Sequence, residues 1–174
     1  MKRSFCLLAV LCFALYAGCA HRAFISREGH RIRVLDHGIY TSQLRERIPH
    51  PSFTSGGVRI RKDCALQEQT EAVPAKLGIR FGFRYVIDPA DDSPSIPVTV
   101  QWIFPEPGLT NSQTGRTDSM NEVSFHAPTR EEVLIDYGFD YDWECRPGKW
   151  IFRLIVDGEI AAQREFNVYE PGNR

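Results

Sequence analysis

Four acidic residues lie within the run IDYGFDYDWE at positions 135–144, and carboxylates this close together could do chemistry. They could act as a general acid and base, or supply oxygen ligands for calcium. The acids alternate with aromatic residues, however, and alternate residues of a β-strand face opposite sides of a sheet. Calcium sites also gather roughly six to eight oxygens. We therefore interpret the acids as the solvated outer face of one strand; they are Asp136, Asp140, Asp142 and Glu144.

The histidines show no spacing typical of a metal site. They lie at positions 21, 30, 37, 50 and 126, and no His-x-His or His-Glu-x-x-His pattern occurs. The sequence also has no Gly-x-Ser-x-Gly nucleophile elbow, no phosphate-binding loop and no Gly-x-Gly-x-x-Gly dinucleotide motif. A triad assembled from distant residues stays open as an alternative. We predict a protein that is not an enzyme and has no catalytic residues, metal ion or cofactor.

The charge balance gives no sign of a nucleic-acid partner. The chain has 21 basic and 22 acidic residues, a formal net charge of −1, whereas nucleic-acid-binding surfaces are strongly basic. Aromatic residues make up 11% of the chain, which supplies enough apolar bulk for a packed core. We expect a folded domain that does not bind nucleic acid.

Residues 1–18 are typical of a signal peptide. Two basic residues precede an apolar run over residues 5–20, which is too short for an ordinary membrane-spanning helix of about 20 apolar residues. The run ends in LYAGCA, which resembles the lipobox of bacterial lipoproteins, in which small residues precede a cysteine that is acylated before cleavage. The resemblance implies that Cys19 is lipidated. The alternative is ordinary cleavage after Ala20, which would release a soluble periplasmic protein.

Export to an oxidising compartment would leave two cysteines able to pair. Cys6 and Cys12 lie in the segment that is removed, and Cys19 would carry the lipid, so Cys64 and Cys145 remain. Thiols in such a compartment usually form disulfides, and we predict one between these two residues. The alternative is two separate buried thiols.

After residue 36 the hydrophobic residues repeat with a period of two, which is typical of half-buried β-strands. The pair Asp157-Gly158 lies between two alternating runs and predicts a two-residue hairpin turn. No amphipathic helical pattern interrupts the runs. The strands predicted from alternation cover residues 75–87, 98–104, 132–144, 150–156 and 160–168, with shorter candidates at 38–42, 58–61 and 121–126.

This pattern predicts an all-β fold, an antiparallel β-sandwich of about seven or eight strands. We place the sandwich at residues 37–170 and interpret residues 19–36, which include the lipidated cysteine and several arginines, as a tether. All three tryptophans fall on the predicted inward register, so core packing explains them better than an exposed platform for sugars. They are Trp102, Trp143 and Trp150.

The segment 105–119 is a candidate partner-binding loop between the strand that ends at Phe104 and the strand around Val123. Connections are usually about 4 to 6 residues long, and longer loops in compact domains are often functional. Its prolines restrict the backbone. The alternative is a rigid crossover between two sheets. The candidate binding residues are Pro105, Glu106, Pro107, Gly108, Leu109, Thr110, Asn111 and Arg116.

Three segments resemble a family of bacterial domains known only as a domain of unknown function. They are EQTEAVPAKLGIRFGFRY at residues 68–85, FPEPGLTNSQTG at 104–115 and WECRPGKWIF at 143–152, of which PEPGLTN is the most specific. The resemblance covers residues 38–168 and implies an immunoglobulin-like fold. It implies no activity and brings no catalytic residues.

Together these features predict a cell-envelope lipoprotein that displays a non-enzymatic binding or assembly module. Many Gram-negative lipoproteins that stay at the inner membrane carry Asp after the lipidated cysteine. Ala20 stands there instead, so by that resemblance we expect an outer-membrane protein that faces the periplasm. The expected partners are the membrane, through the lipid, and an unknown envelope protein or glycan. The alternative is a secreted periplasmic protein that binds or hydrolyses glycans.

Overall fold

The computed structural model describes residues 23–51 and 53–172, and within them nearly all regular structure is β-strand. The one helical element described is a 3₁₀ turn at Asp142–Glu144. Within these residues no helix is long and apolar enough to cross a membrane. The predicted signal peptide and Cys19 lie outside the described residues. The strands are β1 Phe24–Ile25, β2 Arg31–Pro49, β3 Gly57–Glu68, β4 Ala72–Pro74, β5 Arg80–Asp88, β6 Ser95–Ile103, β7 Leu109–Thr110, β8 Thr117–Asp118, β9 Met120–Pro128, β10 Glu132–Gly138, β11 Gly148–Val156 and β12 Glu159–Tyr169.

The strands form two sheets of five strands that pack face to face, and a small separate hairpin. The first sheet has the order β1-β2-β5-β10, with β3 paired to the second half of β2; the second has the order β4-β12-β11-β6-β9. β7 and β8 form the hairpin. Among the described pairings only β4 with β12 is parallel. Eight of the strands are at least seven residues long, which confirms the predicted sandwich of about seven or eight strands.

Aromatic side chains fill the space between the sheets. Phe81 of β5 contacts the rings of Phe139, Trp150, Phe152 and Phe166, with centroid distances of 5.2 to 5.6 Å. All five side chains are fully buried. Complete burial of one such side chain stabilises the fold by about 1.5–3 kcal/mol, so this cluster is the main contact between the two sheets.

The predicted hairpin at Asp157-Gly158 is present, but one of its residues faces the wrong way. β11 and β12 pair across this turn, and the register shifts between Leu154 and Ile155. An extra residue in one strand reverses the alternation of faces. Ile160 is therefore exposed, although regular alternation along the predicted strand 160–168 would place it on the same face as the buried Ala162.

Two predicted strands are shorter than expected, because turns interrupt them. β5 begins at Arg80, not at residue 75. Gly78 has a φ of 84°, a left-handed conformation that ends the extended run before it. β10 ends at Gly138, and the 3₁₀ turn follows where the strand was predicted to continue to residue 144.

The predicted tether over residues 19–36 is wrong from residue 24 onward, and its residues 19–22 lie outside the described residues. Phe24 of β1 pairs with Ile32 of β2, and β2 pairs with β5 from Arg31 onward. Ile32 is buried in the core. Arg31 and Arg33, two of the arginines that suggested a solvated linker, alternate with Ile32 and Val34 in the pattern of a half-buried strand.

The second half of β2 leaves the first sheet together with β3 as a two-stranded arm, residues 40–66. Ile39 is the branch point, because it pairs with Phe81 of β5 and also with Glu68 of β3. Three register shifts occur in the β2–β3 ladder, and such irregularities bend and twist a strand pair. The arm can therefore curve away from the sheet that it extends.

The tip of the arm returns to the sandwich and packs against the second sheet. The ring of Phe53 lies 5.6 Å from that of Trp102, measured between centroids. The Thr54 hydroxyl donates to the side-chain oxygen of Asn121 at 3.1 Å. The arm is thus anchored at both ends, at its branch point and at its tip.

Candidate functional site

A groove of about 850 Å³ lies between the arm and the edge of the sandwich. β9 and β10 line it, and each is the last strand of its sheet. Arm residues 62–64 also line it, together with Ile48 and residues at the arm's tip. Its volume falls in the range of about 300–1,000 Å³ that is typical of ligand-binding pockets.

Apolar residues of the core continue into the groove, where they are only partly covered. Val123 and Phe125 lie on the core face of β9, opposite Val100 and Val98 of β6. Phe125 is nevertheless 38% exposed, because β9 has no further strand beside it among the described residues. Large apolar surface left accessible in a concave site is a usual sign of a binding surface.

The edge of β10 faces this groove with its backbone. The indole N–H of Trp102 donates to the backbone carbonyl of Asp136 at 3.0 Å, so this carbonyl points away from β5. Within the described residues β10 pairs only with β5. In a strand the backbone groups of alternate residues point to the same side. The N–H and C=O of Leu134 therefore point toward the groove as well.

A buried arginine forms ion pairs with two carboxylates that line the groove. Arg80 forms a close ion pair with Asp136, Nη2 to Oδ2 2.6 Å, and lies 3.8 Å from a carboxylate oxygen of Asp140. A side chain on Gly138 would collide with this guanidinium, so the glycine makes room for it. The predicted solvated face is therefore wrong for Asp136 and Asp140, because Arg80 engages both.

A second cluster of charged groups extends from the groove onto β2. Arg84, which lines the groove, donates to both carboxylate oxygens of Asp36 and also pairs with Glu132. Burial opposes the charged form of Asp36, but hydrogen bonds from Arg84 and Tyr40 outweigh it and lower its pKa. Burial and the neighbouring carboxylate raise the pKa of Tyr40. In each cluster one arginine faces two carboxylates, so negative charge is in excess beside the groove.

Glu144 is a buried carboxylate, only 1% exposed, and the prediction of a solvated side chain is wrong for it. It accepts hydrogen bonds from the Tyr137 hydroxyl at 3.1 Å and from the backbone N–H groups of Asp140 and Tyr141 at 2.7 and 2.9 Å. Burial raises its pKa despite these bonds. Because its oxygens accept hydrogen bonds from the turn, the carboxylate stabilises the conformation of the turn. Only Asp142 of the four acids is exposed, as predicted.

The segment 105–119 contains β7 and β8 and is therefore not the irregular loop that we predicted. Leu109 is fully buried and Asn111 nearly so. Gly108 is buried and Pro105 half-buried, whereas four of the candidate residues are exposed. These four are Glu106, Pro107, Thr110 and Arg116.

Hydrogen bonds from this segment hold the tip of the arm. The amide of Asn111 donates to the Thr54 carbonyl at 2.8 Å, and its side-chain oxygen accepts from the backbone N–H of Gln113 at 2.8 Å. Arg116 donates to the Pro51 carbonyl at 2.5 Å. None of the eight candidate residues, all of them described, lines the groove. These contacts give the segment a structural role. The alternative of a crossover between two sheets is wrong, because the segment connects β6 and β9, which are neighbours in the same sheet. Partner binding by its exposed residues stays a prediction.

No disulfide joins the two described cysteines, so the predicted bond between Cys64 and Cys145 is absent from this structure. Cys64 lies on the arm and lines the groove. Cys145 follows the 3₁₀ turn and packs beside the core. Burial, with the nearby Asp142 and Glu144 carboxylates, raises the pKa of the Cys145 thiol. The two thiols belong to different parts of the fold, a relationship that sequence spacing does not reveal.

The tryptophans do not form a platform for sugars. Trp150 is fully buried and Trp102 nearly so. Trp143 is half-buried and stacks on Tyr141, with ring centroids 5.6 Å apart. Glycan-binding platforms usually need more than one exposed ring, so the predicted core role holds for Trp102 and Trp150, and in part for Trp143.

One group of possible metal ligands is present among the described residues, at the far end of the sandwich. Glu28, His30 and Asp157 bring their ligand atoms within 4.8 Å of one another. His30 Nδ1 accepts a hydrogen bond from the Ala90 N–H at 3.1 Å, so in the neutral ring Nε2 carries the proton. That nitrogen faces Glu28 at 3.5 Å. Both ring nitrogens of His30 thus have a partner, so the group fits a local hydrogen-bond network better than a metal site.

These two face-to-face sheets with an open lateral edge define an immunoglobulin-like domain. The structure is similar to an immunoglobulin-like protein from Pseudomonas aeruginosa, with a TM-score of 0.57 and 22% sequence identity. The similarity covers 79% of this chain and 96% of that chain. It confirms the predicted immunoglobulin-like fold.

Residues 29–168 match the family described as "Domain of unknown function (DUF3859)", and the chain belongs to this family. The match confirms the resemblance to an uncharacterised domain and begins at residue 29, where the sequence pattern had suggested residue 38. A comparison with curated proteins found no match.

Proposed function

We propose that this protein is a non-enzymatic binding module of the bacterial cell envelope and that the groove beneath the arm holds its partner. The observation that carries the proposal is the accessible apolar surface of Phe125, Val123 and Ile48 around one concave site. Surface of this kind favours association because burying it removes apolar area from water. The segment 105–119 supports the site indirectly, since it fixes the arm that forms one wall.

A binding role fits the chemistry of the groove better than a catalytic one. General acid–base catalysis needs a carboxylate that can reach a substrate proton. Asp136 and Asp140 are engaged by Arg80, and Glu144 is engaged by Tyr137 and two backbone N–H groups. These three carboxylates therefore stabilise the fold around the groove.

The proposed lipid anchor would place the domain close to a membrane. Only residues 20–23 separate Cys19 from Phe24, the first residue of β1. An extended chain spans at most about 3.6 Å per residue, so the domain would lie within about 20 Å of the lipid. β1 lies near the turn at residues 157–158, since Glu28 N–H donates to Asp157. The tip of the arm packs at the opposite end of the sandwich and would face away from the membrane.

Photo-crosslinking in cells tests the binding site. A benzophenone amino acid replaces Phe125, which faces the groove, or Glu122, an exposed residue on the outer face of the same strand. We expect a discrete adduct in the envelope fraction from position 125 and none from position 122. Adducts of equal intensity at both positions, or none at position 125, would contradict the proposal.

The location is tested separately with a Cys19→Ala variant. We expect the full-length chain to be found in the membrane fraction and the variant in the soluble periplasmic fraction, because the variant lacks the thiol that would be acylated. A variant that stays in the membrane fraction would contradict lipid anchoring and leave the groove proposal standing.

A further inference from the structure

We infer that the partner held in the groove is an extended peptide segment without acidic side chains that adds to β10 as a further strand. This inference rests on the proposed binding function and names its ligand class. Strand addition at an exposed sheet edge derives affinity from backbone hydrogen bonds and selectivity from pockets for alternate side chains. The groove supplies both, as the geometry of β10, β9 and the arm shows.

The backbone of β10 is oriented for such pairing. A side chain on Gly82 of β5 would collide with the carbonyl of Ile135, so Ile135 turns its backbone groups toward β5. Its neighbours Leu134 and Asp136 therefore turn theirs to the opposite side. The hydrogen bond from Trp102 to the Asp136 carbonyl agrees with this assignment. Both backbone groups of Leu134 and the N–H of Asp136 then face the groove.

The charges of the groove disfavour an acidic occupant. Arg80 faces Asp136 and Asp140, and Arg84 faces Asp36 and Glu132, so each arginine faces two carboxylates. An acidic side chain entering the groove would lose hydration and meet this excess of negative charge. A segment of apolar and small polar residues avoids that repulsion.

The side walls suit the alternating side chains of a strand. Inward-facing residues of an added strand would meet Phe125 of β9 and Val133 of β10, which lie on the core faces of their sheets. Outward-facing residues would lie toward arm residues 62–64, which line the same groove. β10 has seven residues, so a segment of about five to seven residues matches its length.

The arm also explains how such an edge can exist without causing aggregation. Unpaired strand edges are liable to pair with other chains, and proteins often cover them. The arm lies beside β10 without pairing with it in the described residues. It therefore limits access to a single chain that enters along the groove.

The probe is a fluorescent seven-residue peptide of alternating valine and threonine, added to the protein with its leader removed. Two further peptides carry N-methyl groups either on all the valines or on all the threonines. N–H groups of alternate residues in a strand point to the same side. We expect one methylated peptide to bind at least tenfold more weakly than the parent and the other to bind within about twofold, measured by fluorescence anisotropy.

A pair of protein variants tests the backbone hydrogen bond between Leu134 and the peptide by changing the protein. Leu134→Pro removes the N–H that faces the groove, whereas Leu134→Ala keeps it. Proline is tolerated at edge strands on the side that makes no ladder hydrogen bond, and thermal unfolding checks that the variant folds. We expect Leu134→Pro to bind the parent peptide at least tenfold more weakly than Leu134→Ala does. If Leu134→Pro does not fold, the methylated peptides decide alone.

The outcomes separate this inference from the proposed function. Equal binding of both methylated peptides would overturn strand addition. A failure of the parent peptide to bind, together with a groove-specific photo-crosslink at position 125, would also overturn it while the binding function stands. If the crosslink fails as well, both proposals fail.

Discussion

The indole N–H of Trp102 in β6 donates a 3.0 Å hydrogen bond to the backbone carbonyl of Asp136 in β10, and so joins the two sheets beside the groove. Trp102→Phe keeps an aromatic ring but leaves this carbonyl without its donor. We expect the free energy of unfolding to fall by about 1–2 kcal/mol. Urea denaturation monitored by circular dichroism measures the change. A free energy equal to that of the wild type would show that the bond does not stabilise the fold.

Asn111→Ala should loosen the tip of the arm. The variant loses the hydrogen bond to the Thr54 carbonyl and those from the backbone of its own turn. We expect a loss of about 2–3 kcal/mol and faster amide hydrogen exchange around Phe53. Gln113→Ala is the matched control, since that side chain is exposed in the same turn. Similar exchange around Phe53 in both variants would contradict the role of Asn111 in anchoring the arm.

Glu144→Gln should change how stability depends on pH. Burial raises the pKa of Glu144 above its usual value of 4.5, so between the usual and the raised pKa the folded state binds more protons than the unfolded state. Stability from this group therefore falls as pH rises from 4.5 through the raised pKa. We expect the free energy of unfolding of the variant to lack this fall. Relative to the wild type, the variant therefore gains stability as the pH rises through the raised pKa. Asp142→Asn, an exposed change in the same turn, should follow the wild-type profile. Parallel profiles for wild type and Glu144→Gln would contradict the assignment.

Cys64 and Cys145 should both react as thiols in the protein purified without its leader. Alkylation in denaturant without reductant, followed by mass spectrometry, is expected to label both residues, because the structure has no bond between them. A sample reduced before alkylation is the control. Labelling of both residues only after reduction would restore the disulfide that the sequence suggested.

Much of the fold could be predicted from the sequence, because its strands have one buried and one exposed face. Residues 98–104 and 150–156 alternate clearly, and Asp157-Gly158 specifies its turn. The arm could not be predicted in the same way. It packs against little of the sandwich except at its tip, and residues 41–49 of its first strand are exposed or half-buried on both faces, without alternation.

The candidate site could not be predicted, because it depends on contacts between distant segments. Glu144 looks like one more acid on a strand face, and only the turn after Gly138 brings it into the interior. The exposure of Phe125 depends on the strand order, which places β9 at the edge of its sheet. Alternation predicts that such a residue faces inward but not whether the opposite sheet covers it.

The most direct test of the groove as the binding site combines the photo-crosslinker at position 125 with a charge placed across the groove. Val133→Glu puts a carboxylate on the half-buried core face of β10, and Ile160→Glu changes an exposed residue elsewhere. We predict that the envelope adduct disappears with Val133→Glu and persists with Ile160→Glu, while both variants remain folded by circular dichroism. An adduct of unchanged intensity in folded Val133→Glu would contradict the proposal that the partner occupies this groove.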